Sequence, residues 1–346
     1  MNNIYITYNN KPILADVVIM RLGLIFLLIG THTFAPYSGS WESLPNSNDL
    51  SIYKYFSSFA HYISMPALIF ISGYLFGHTW QRTTAQPFKT FVFKKFKRLI
   101  IPSIIFSFFY FLLFKDTTLP TSKVSYAIVN GCGHLWFLPM LFWCFICCYL
   151  LHKSKIDNKI IIALLAILSI LPIPTLPLRL SSTCTYLVFF YLGSIMQISG
   201  VGGVMNNKAI ALIILVASYF FLQFGLLMVQ DFEFSSLIQK VLYLLTVNAA
   251  KLLLGLSGIG IAFIATQMFL SKNSIIAESI IILSTYCYGI YIIHQFILML
   301  FYYNTPIADI INPFVLPWIA FIATLLLSVF ITAITLRTKI GRFLIG

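Results

Sequence analysis

The run Asp16-Val-Val-Ile-Met-Arg21-Leu-Gly-Leu-Ile-Phe-Leu-Leu-Ile-Gly-Thr-His32 decides how this chain is read. It belongs to an apolar stretch over 13–36, long enough for a helix to cross a hydrocarbon layer. Yet it carries an arginine and a histidine. Eleven residue steps at about 3.6 residues per turn make about three turns, so Arg21 and His32 share a face, roughly 16 Å apart along the axis. An arginine within lipid is costly unless it meets a partner or a polar cavity. One helix face therefore presents an anion-binding group at one level and a proton-transfer group at another. A structural reading is equally open at this point: Asp16 paired with Arg21, and His32 capped by a neighbouring carbonyl. Their five-residue separation is a poor helical pairing distance.

The rest of the chain resembles this run. Hydrophobic residues make up 60% and charged residues 9%, against about a quarter charged in soluble domains. A surface so poor in charge needs lipid as its solvent. Transmembrane barrels alternate apolar and polar residues, and these runs do not. The fold class expected is all-α, a polytopic membrane bundle of about ten spans: 13–36, 59–79, 99–115, 134–152, 159–177, 184–199, 208–229, 248–270, 277–303 and 313–336. The stretch 234–249 is apolar and compatible with a re-entrant or interfacial segment. No internal repeat or polar linker divides the chain, so 1–346 reads as one membrane-embedded domain with no separate soluble domain. No cleavable signal peptide is expected, because the first apolar run follows Lys11-Pro12 and continues as a full span. Cys144 and Cys147 have CxxC spacing on an apolar helix, which favours packing over metal or redox work.

The formal charge of +13 is explained by topology rather than by nucleic acid, because basic residues fall between the apolar runs. Lys11, Arg82, Lys89, Lys94, Lys95, Lys97, Arg98, Lys153, Lys155, Lys159, Lys208, Lys272, Arg337, Lys339 and Arg342 fall on one side, 15 of the 22 basic residues. The other side has Lys54, Lys115, Lys123, Arg179 and Lys240, with the acids Glu42, Asp49, Asp116, Asp231, Glu233 and Asp309. The positive side faces the cytoplasm. Both termini then lie there, which requires an even number of spans. Arg21 and Lys251 remain within spans.

Further residues extend the first-span pair. Phe70-Ile71-Ser72-Gly73-Tyr74-Leu75-Phe76-Gly77 places glycines where helices approach closely. Lys95-Phe96-Lys97-Arg98, followed by Pro102, is either ordinary positive-inside bias or a phosphate clamp, arginine offering two directed donors. His134-Leu135-Trp136-Phe137-Leu138-Pro139 opens the fourth span, where Trp136 is also a common interfacial anchor. Tyr288-Gly289-Ile290-Tyr291-Ile292-Ile293-His294 puts His294 inside the ninth. His134 and His294 are open to packing or cavity roles, and Lys251 to a functional role or to snorkelling. Glu278 reads as solvated, and His61, His78 and His152 as interfacial.

Together these motifs, in this order, resemble the membrane acyltransferase family 3, and within it the fucose 4-O-acetylase-like sugar acetyltransferases. The resemblance implies an O-acetyltransferase of the bacterial cytoplasmic (inner) membrane. Its donor is acyl-coenzyme A, usually acetyl-coenzyme A, used as a cosubstrate with no tightly bound cofactor and no metal. Its acceptor is a hydroxyl of a glycan or lipid-linked sugar reached from the outer face. It implies His32 as the catalytic residue and Arg21 near the coenzyme, with Lys95, Lys97 and Arg98 at its phosphates. The family often has arginine where this chain has Lys95; lysine binds phosphate as a point charge. Asp16, His134, Trp136, Lys251 and His294 are candidates for acceptor binding or cavity lining.

A neutral histidine suits the base in such a transfer, since its ordinary pKa lies near physiological pH. A covalent acyl-histidine route is equally compatible with the sequence. The rivals are a transporter or flippase for a glycan or lipid-linked substrate, a metal-dependent hydrolase using His32, His134 and His294, and a structural scaffold. Transporters often show paired broken helices in two halves, which are not evident here.

Overall fold

The computed structural model describes all residues except 1–4, 9–10, 45–50, 115–120, 199–206, 230–233 and 273–275. Lys115, Asp49, Asp116, Asp231 and Glu233, which enter the charge bias, lie outside the described residues. Helices dominate. A short antiparallel hairpin, β1 (Tyr5–Tyr8) and β2 (Lys11–Leu14), pairs Tyr5 with Leu14 and precedes them.

Ten principal helices follow: α1 (Ala15–Thr33), α2 (Ser51–His78), α3 (Phe88–Leu113), α4 (Phe137–Lys153), α5 (Asn158–Ile170), α6 (Leu180–Ile198), α7 (Lys208–Met228), α8 (Leu237–Lys272), α9 (Glu278–Tyr303) and α10 (Leu316–Thr335). Eight of the described helices, all but α5 and α6, are long and apolar enough to cross a membrane, α4 counted with the turn from Gly133. Each expected span has a helix, but two expectations need correction. The fifth, expected over 159–177, stops at Ile170, because Pro172, Pro174 and Pro177 remove backbone donors and force extended backbone before them. Leu171 is already extended (φ −62°, ψ 136°), and 13 residues reach only about 20 Å. The segment 234–249 is no separate re-entrant element: from Leu237 onward it is the start of the 36-residue α8.

The chain divides into two compact units. The first comprises Ile4–Ser64, Ile104–Leu135 and Asn273–Gly346. In it α1 packs on α9 and α10, and α9 packs on α10. The sequence makes this contact with small residues. Ala320, Thr324, Ser328 and Thr332 recur every fourth position on α10 and are all buried. A Cβ on Gly289 of α9 would come within 2.4 Å of Thr332 Cγ2. Ile322, Leu326 and Phe330 on α10 are exposed. Small polar residues inside and large apolar residues outside are the arrangement lipid selects.

The second unit comprises Met65–Ser103 and Trp136–Lys272. Here α2 and α6 meet backbone to backbone. A Cβ on Gly73 would lie 1.9 Å from the Phe190 carbonyl oxygen, and one on Gly193 2.1 Å from that of Phe70. The α6 helix also packs on α4 and α5, and α8 on α5 and α7. Within α3, Phe96–Ile100 widens into a π turn, with Ile101 N donating to Phe96 O five residues back. Pro102 has no N–H to give the Arg98 carbonyl, so the ladder loosens there.

Candidate functional site

Three histidines far apart in sequence converge in the first unit. His32 comes from the last turn of α1, His294 from the middle of α9, and His134 from the 3-10 turn Gly133–Trp136. The His32 and His294 rings stand 5.0 Å apart and those of His134 and His294 4.8 Å. His134 and His294 are buried; His32 is half-buried.

Carbonyls fix how the protons are arranged. His294 Nδ1 lies 2.6 Å from Tyr291 O and 3.2 Å from Ile290 O, and a carbonyl only accepts, so Nδ1 carries the proton. In the neutral ring Nε2 is then an acceptor. It faces His32 Nδ1 at 2.9 Å, so His32 donates from Nδ1. The lone pair of His32 is left on Nε2. A base whose second nitrogen is held by an orienting partner is the geometry general-base catalysis requires.

The end of α1 is held in place around this ring. Its terminal carbonyls lack helical partners. Ser57 Oγ donates to Thr31 O at 3.0 Å, and Tyr302 O–H to Thr33 O at 2.7 Å. Trp41 stacks on His32 at 5.9 Å and 15°, and Tyr303 lies beside Trp41 at 6.5 Å. Beyond the helix end, Phe34, Tyr37, Tyr53 and Trp318 form an aromatic collar. Burial, with Tyr53 nearby, pushes the Tyr37 phenol well above its ordinary pKa, so it stays a donor to Pro313 O at 2.9 Å.

His134 is more constrained. Its Nε2 donates to Ile292 O at 2.9 Å, its backbone N–H to Gln295 Oε1 at 2.8 Å, and its carbonyl accepts from the Tyr291 hydroxyl. Gln295 Nε2 in turn donates to Tyr110 O–H at 3.1 Å. The turn that delivers it needs glycine: Gly131 and Gly133 have φ of 82° and 52°. The single proton of neutral His134 is therefore committed, and Nδ1 is left as a buried acceptor.

Arg21 lies in the N-terminal half of α1, half-buried and near Cys287 of α9. Asp16 is buried in the first turn, where Oδ1 accepts from Val17 N at 2.8 Å. Among the described residues no group of three His, Cys, Asp or Glu side chains is arranged to hold a metal ion.

The other candidates belong to the second unit. Lys95 is half-buried, its Nζ 3.5 Å from the centre of the Phe145 ring, and Arg98 lies within electrostatic reach of it. Lys97 Nζ sits over Phe93 at 4.5 Å, and Lys97 and Arg98 are exposed. The π turn starts immediately after Lys95, so Lys95 faces a ring while Arg98 faces outward. Trp136 and Lys251 both line one cavity of about 600 Å³. Arg179 and Asn248 line it too, and sequence reasoning passed over both. The signal for Arg179 was its position as a lone cation beside the prolines that end α5. His152, read as interfacial, lies in the last turn of α4, tied to Ser194 Oγ at 2.6 Å and stacked on Tyr191.

A search of curated proteins and one of solved structures each gave no match. A family model described as an acyltransferase domain matches residues 15–337, from the first residue of α1 to just beyond α10. The match covers nearly the whole chain, including every candidate residue above, and the chain belongs to this family, the acyltransferase 3 family.

Proposed function

We propose that the protein is a membrane-bound O-acyltransferase that moves an acyl group, acetyl by resemblance, from acyl-coenzyme A to a hydroxyl of a glycan or lipid-linked sugar. In its motifs the chain resembles the fucose 4-O-acetylase-like branch. The proposal includes ten spans with cytoplasmic termini, which the lysine and arginine bias supports, and, by resemblance, a place in the bacterial inner membrane.

The observation that carries the reading is the hydrogen-bond chain from the Tyr291 carbonyl through His294 to His32, which leaves the lone pair on His32 Nε2. In the proposed step, Nε2 takes the acceptor hydroxyl proton as its oxygen attacks the thioester carbonyl. The carbon–sulfur bond then breaks, and the protonated His32 returns its proton to the departing thiolate. The products are an ester and free coenzyme A. While His32 is a cation, His294 accepts its other N–H, and the Tyr291 and Ile290 carbonyl dipoles behind His294 stabilise the charge. The same lone pair would serve an acyl-histidine route. Lys95, Lys97 and Arg98 take the coenzyme's phosphates, which their charge supports, and Arg21 is near the coenzyme by resemblance. The family match disfavours the transporter reading.

The test incubates purified protein with labelled acetyl-coenzyme A and a panel of glycans. Label on a glycan hydroxyl, with coenzyme A released in equal amount, is expected. Glycan movement across a bilayer with no donor consumed would contradict the proposal.

A further inference from the structure

Beside the histidines of the first unit stands a phenol that no sequence motif marks. Tyr110 lies near the end of α3, one turn beyond Ser107. Ser107 Oγ accepts from Cys132 N at 3.0 Å and so ties the glycine turn to this helix. Gly133, with φ of 52°, makes room for the phenol. A Cβ there would come within 3.0 Å of Tyr110 Cζ and 3.1 Å of Gln295 Nε2.

Hydrogen bonding fixes the direction of the Tyr110 proton. Gln295 Oε1 lies 2.8 Å from His134 N, which can only donate, so the other end of the amide is its NH2 group. That group donates to Tyr110 Oη at 3.1 Å. Tyr110 therefore accepts from Gln295, and its own proton points elsewhere. No described residue accepts it. Phe114 and Phe296 pack on the phenol ring, with centres 4.9 and 5.4 Å away, and make its surroundings apolar. Consecutive residues of α9 thus play parallel parts: His294 orients the base His32, and Gln295 orients Tyr110.

These side chains form a closed ring within the first unit. His32 stacks on Trp41 at 5.9 Å, Trp41 lies beside Tyr303 at 6.5 Å, and Tyr303 is within electrostatic reach of Tyr110. Tyr110 meets His134 at 6.4 Å, His134 meets His294 at 4.8 Å, and His294 meets His32 at 5.0 Å. His32 brings this ring a lone pair and Tyr110 a proton. Acyl transfer needs one of each, a base for the attacking hydroxyl and a donor for the carbonyl oxygen that becomes negative.

We propose that the Tyr110 hydroxyl donates a hydrogen bond to the thioester carbonyl oxygen of the bound acyl donor and stabilises the oxyanion formed there. This rests on the acyltransferase reading and adds a second catalytic residue to it. The proton stays on Tyr110 throughout. The attacking hydroxyl still gives its proton to His32, which passes it to the departing thiolate. A donor already held by Gln295 in apolar surroundings needs no reorganisation as the charge develops, the condition under which such a bond is worth most.

The experiment is isotope-edited infrared spectroscopy of acetyl-coenzyme A, carbon-13 labelled at the carbonyl, bound to purified full-length protein in neutral detergent. Tyr110→Phe should bind the donor within about threefold of the parent affinity but move the bound carbonyl band to higher wavenumber, since one hydrogen bond is lost. Replacing Tyr110 by 3-fluorotyrosine and by 3,5-difluorotyrosine, phenols of similar shape and rising acidity, should move the band to progressively lower wavenumber. On a glycan that the parent acetylates, Tyr110→Phe should lower kcat about 10²-fold or more. A band at the same position in the parent and the fluorinated proteins would overturn the proposal, even where Tyr110→Phe does not fold. So would a kcat of Tyr110→Phe within threefold of the parent. Failure of the parent to bind acetyl-coenzyme A would overturn the acyltransferase reading itself, and this proposal with it.

Discussion

His32 Nδ1 and His294 Nε2 meet at 2.9 Å across 262 residues of sequence, and carbonyls behind His294 determine which ring donates. The arrangement makes His294 a positioning residue rather than a reacting one. Its replacement by alanine is expected to lower kcat by about 10²-fold, within the usual worth of an oriented base. The KM for the acyl donor should change little. His294→Gln, which keeps a carbonyl acceptor for the His32 N–H, should recover a measurable part of the loss. Steady-state kinetics on the two variants checks this, and equal activities for both would count against an orienting role.

The hydroxyl of Tyr302 closes the open end of α1 through the Thr33 carbonyl. In Tyr302→Phe that carbonyl is left buried without this donor, at a cost of about 1–3 kcal/mol. Thermal unfolding in detergent should show the loss, and kcat should fall with it because His32 sits one residue before Thr33.

Gly73 and Gly23 make a matched pair for packing. A Cβ on Gly73 would collide with the Phe190 carbonyl, whereas one on Gly23 meets nothing within 4 Å. Gly73→Ala is therefore expected to destabilise by about 1–3 kcal/mol or more, since backbone rather than a flexible side chain must move. Gly23→Ala should be close to neutral. Size-exclusion profiles and melting temperatures of the two proteins compare them directly.

The basic cluster of α3 should act on donor affinity rather than on chemistry. Lys95→Ala is expected to raise the donor KM about tenfold with kcat nearly unchanged, and salt should weaken donor binding less in the variant than in the parent. Phe145→Leu removes the ring under the Lys95 ammonium and should give a smaller shift in the same direction. Kinetics at two ionic strengths separates these outcomes.

Much of the fold was legible because apolar runs of span length mark helices directly. The errors came where another signal overrode hydropathy. Pro172, Pro174 and Pro177 are compatible with an apolar window but not with a helix, so the fifth span was drawn too long. The eighth span, drawn from 248, is part of one continuous α8 that starts at Leu237. The hairpin of β1 and β2 was missed, although Asn9-Asn10 between two short runs is a turn signal. Within the site, Arg21 and His32 were readable as one face because a helical period connects them. The approach of His294 and His134 to His32 depends on how α9 and a glycine-rich turn pack against α1, and no local pattern encodes that. Arg179 stayed hidden for a related reason: its place in one cavity with Lys251 follows from a turn of unusual backbone rather than from spacing.

The central claim is that His32 Nε2 carries the proton of the acyl transfer. The most direct measurement is the single-turnover rate of acetyl transfer by His32→Ala at saturating acetyl-coenzyme A and glycan, with an unchanged melting temperature as the control for folding. The account predicts a fall of about 10³-fold or more, given the worth of a general base and of its lost orientation together. A rate within tenfold of the parent protein would contradict it.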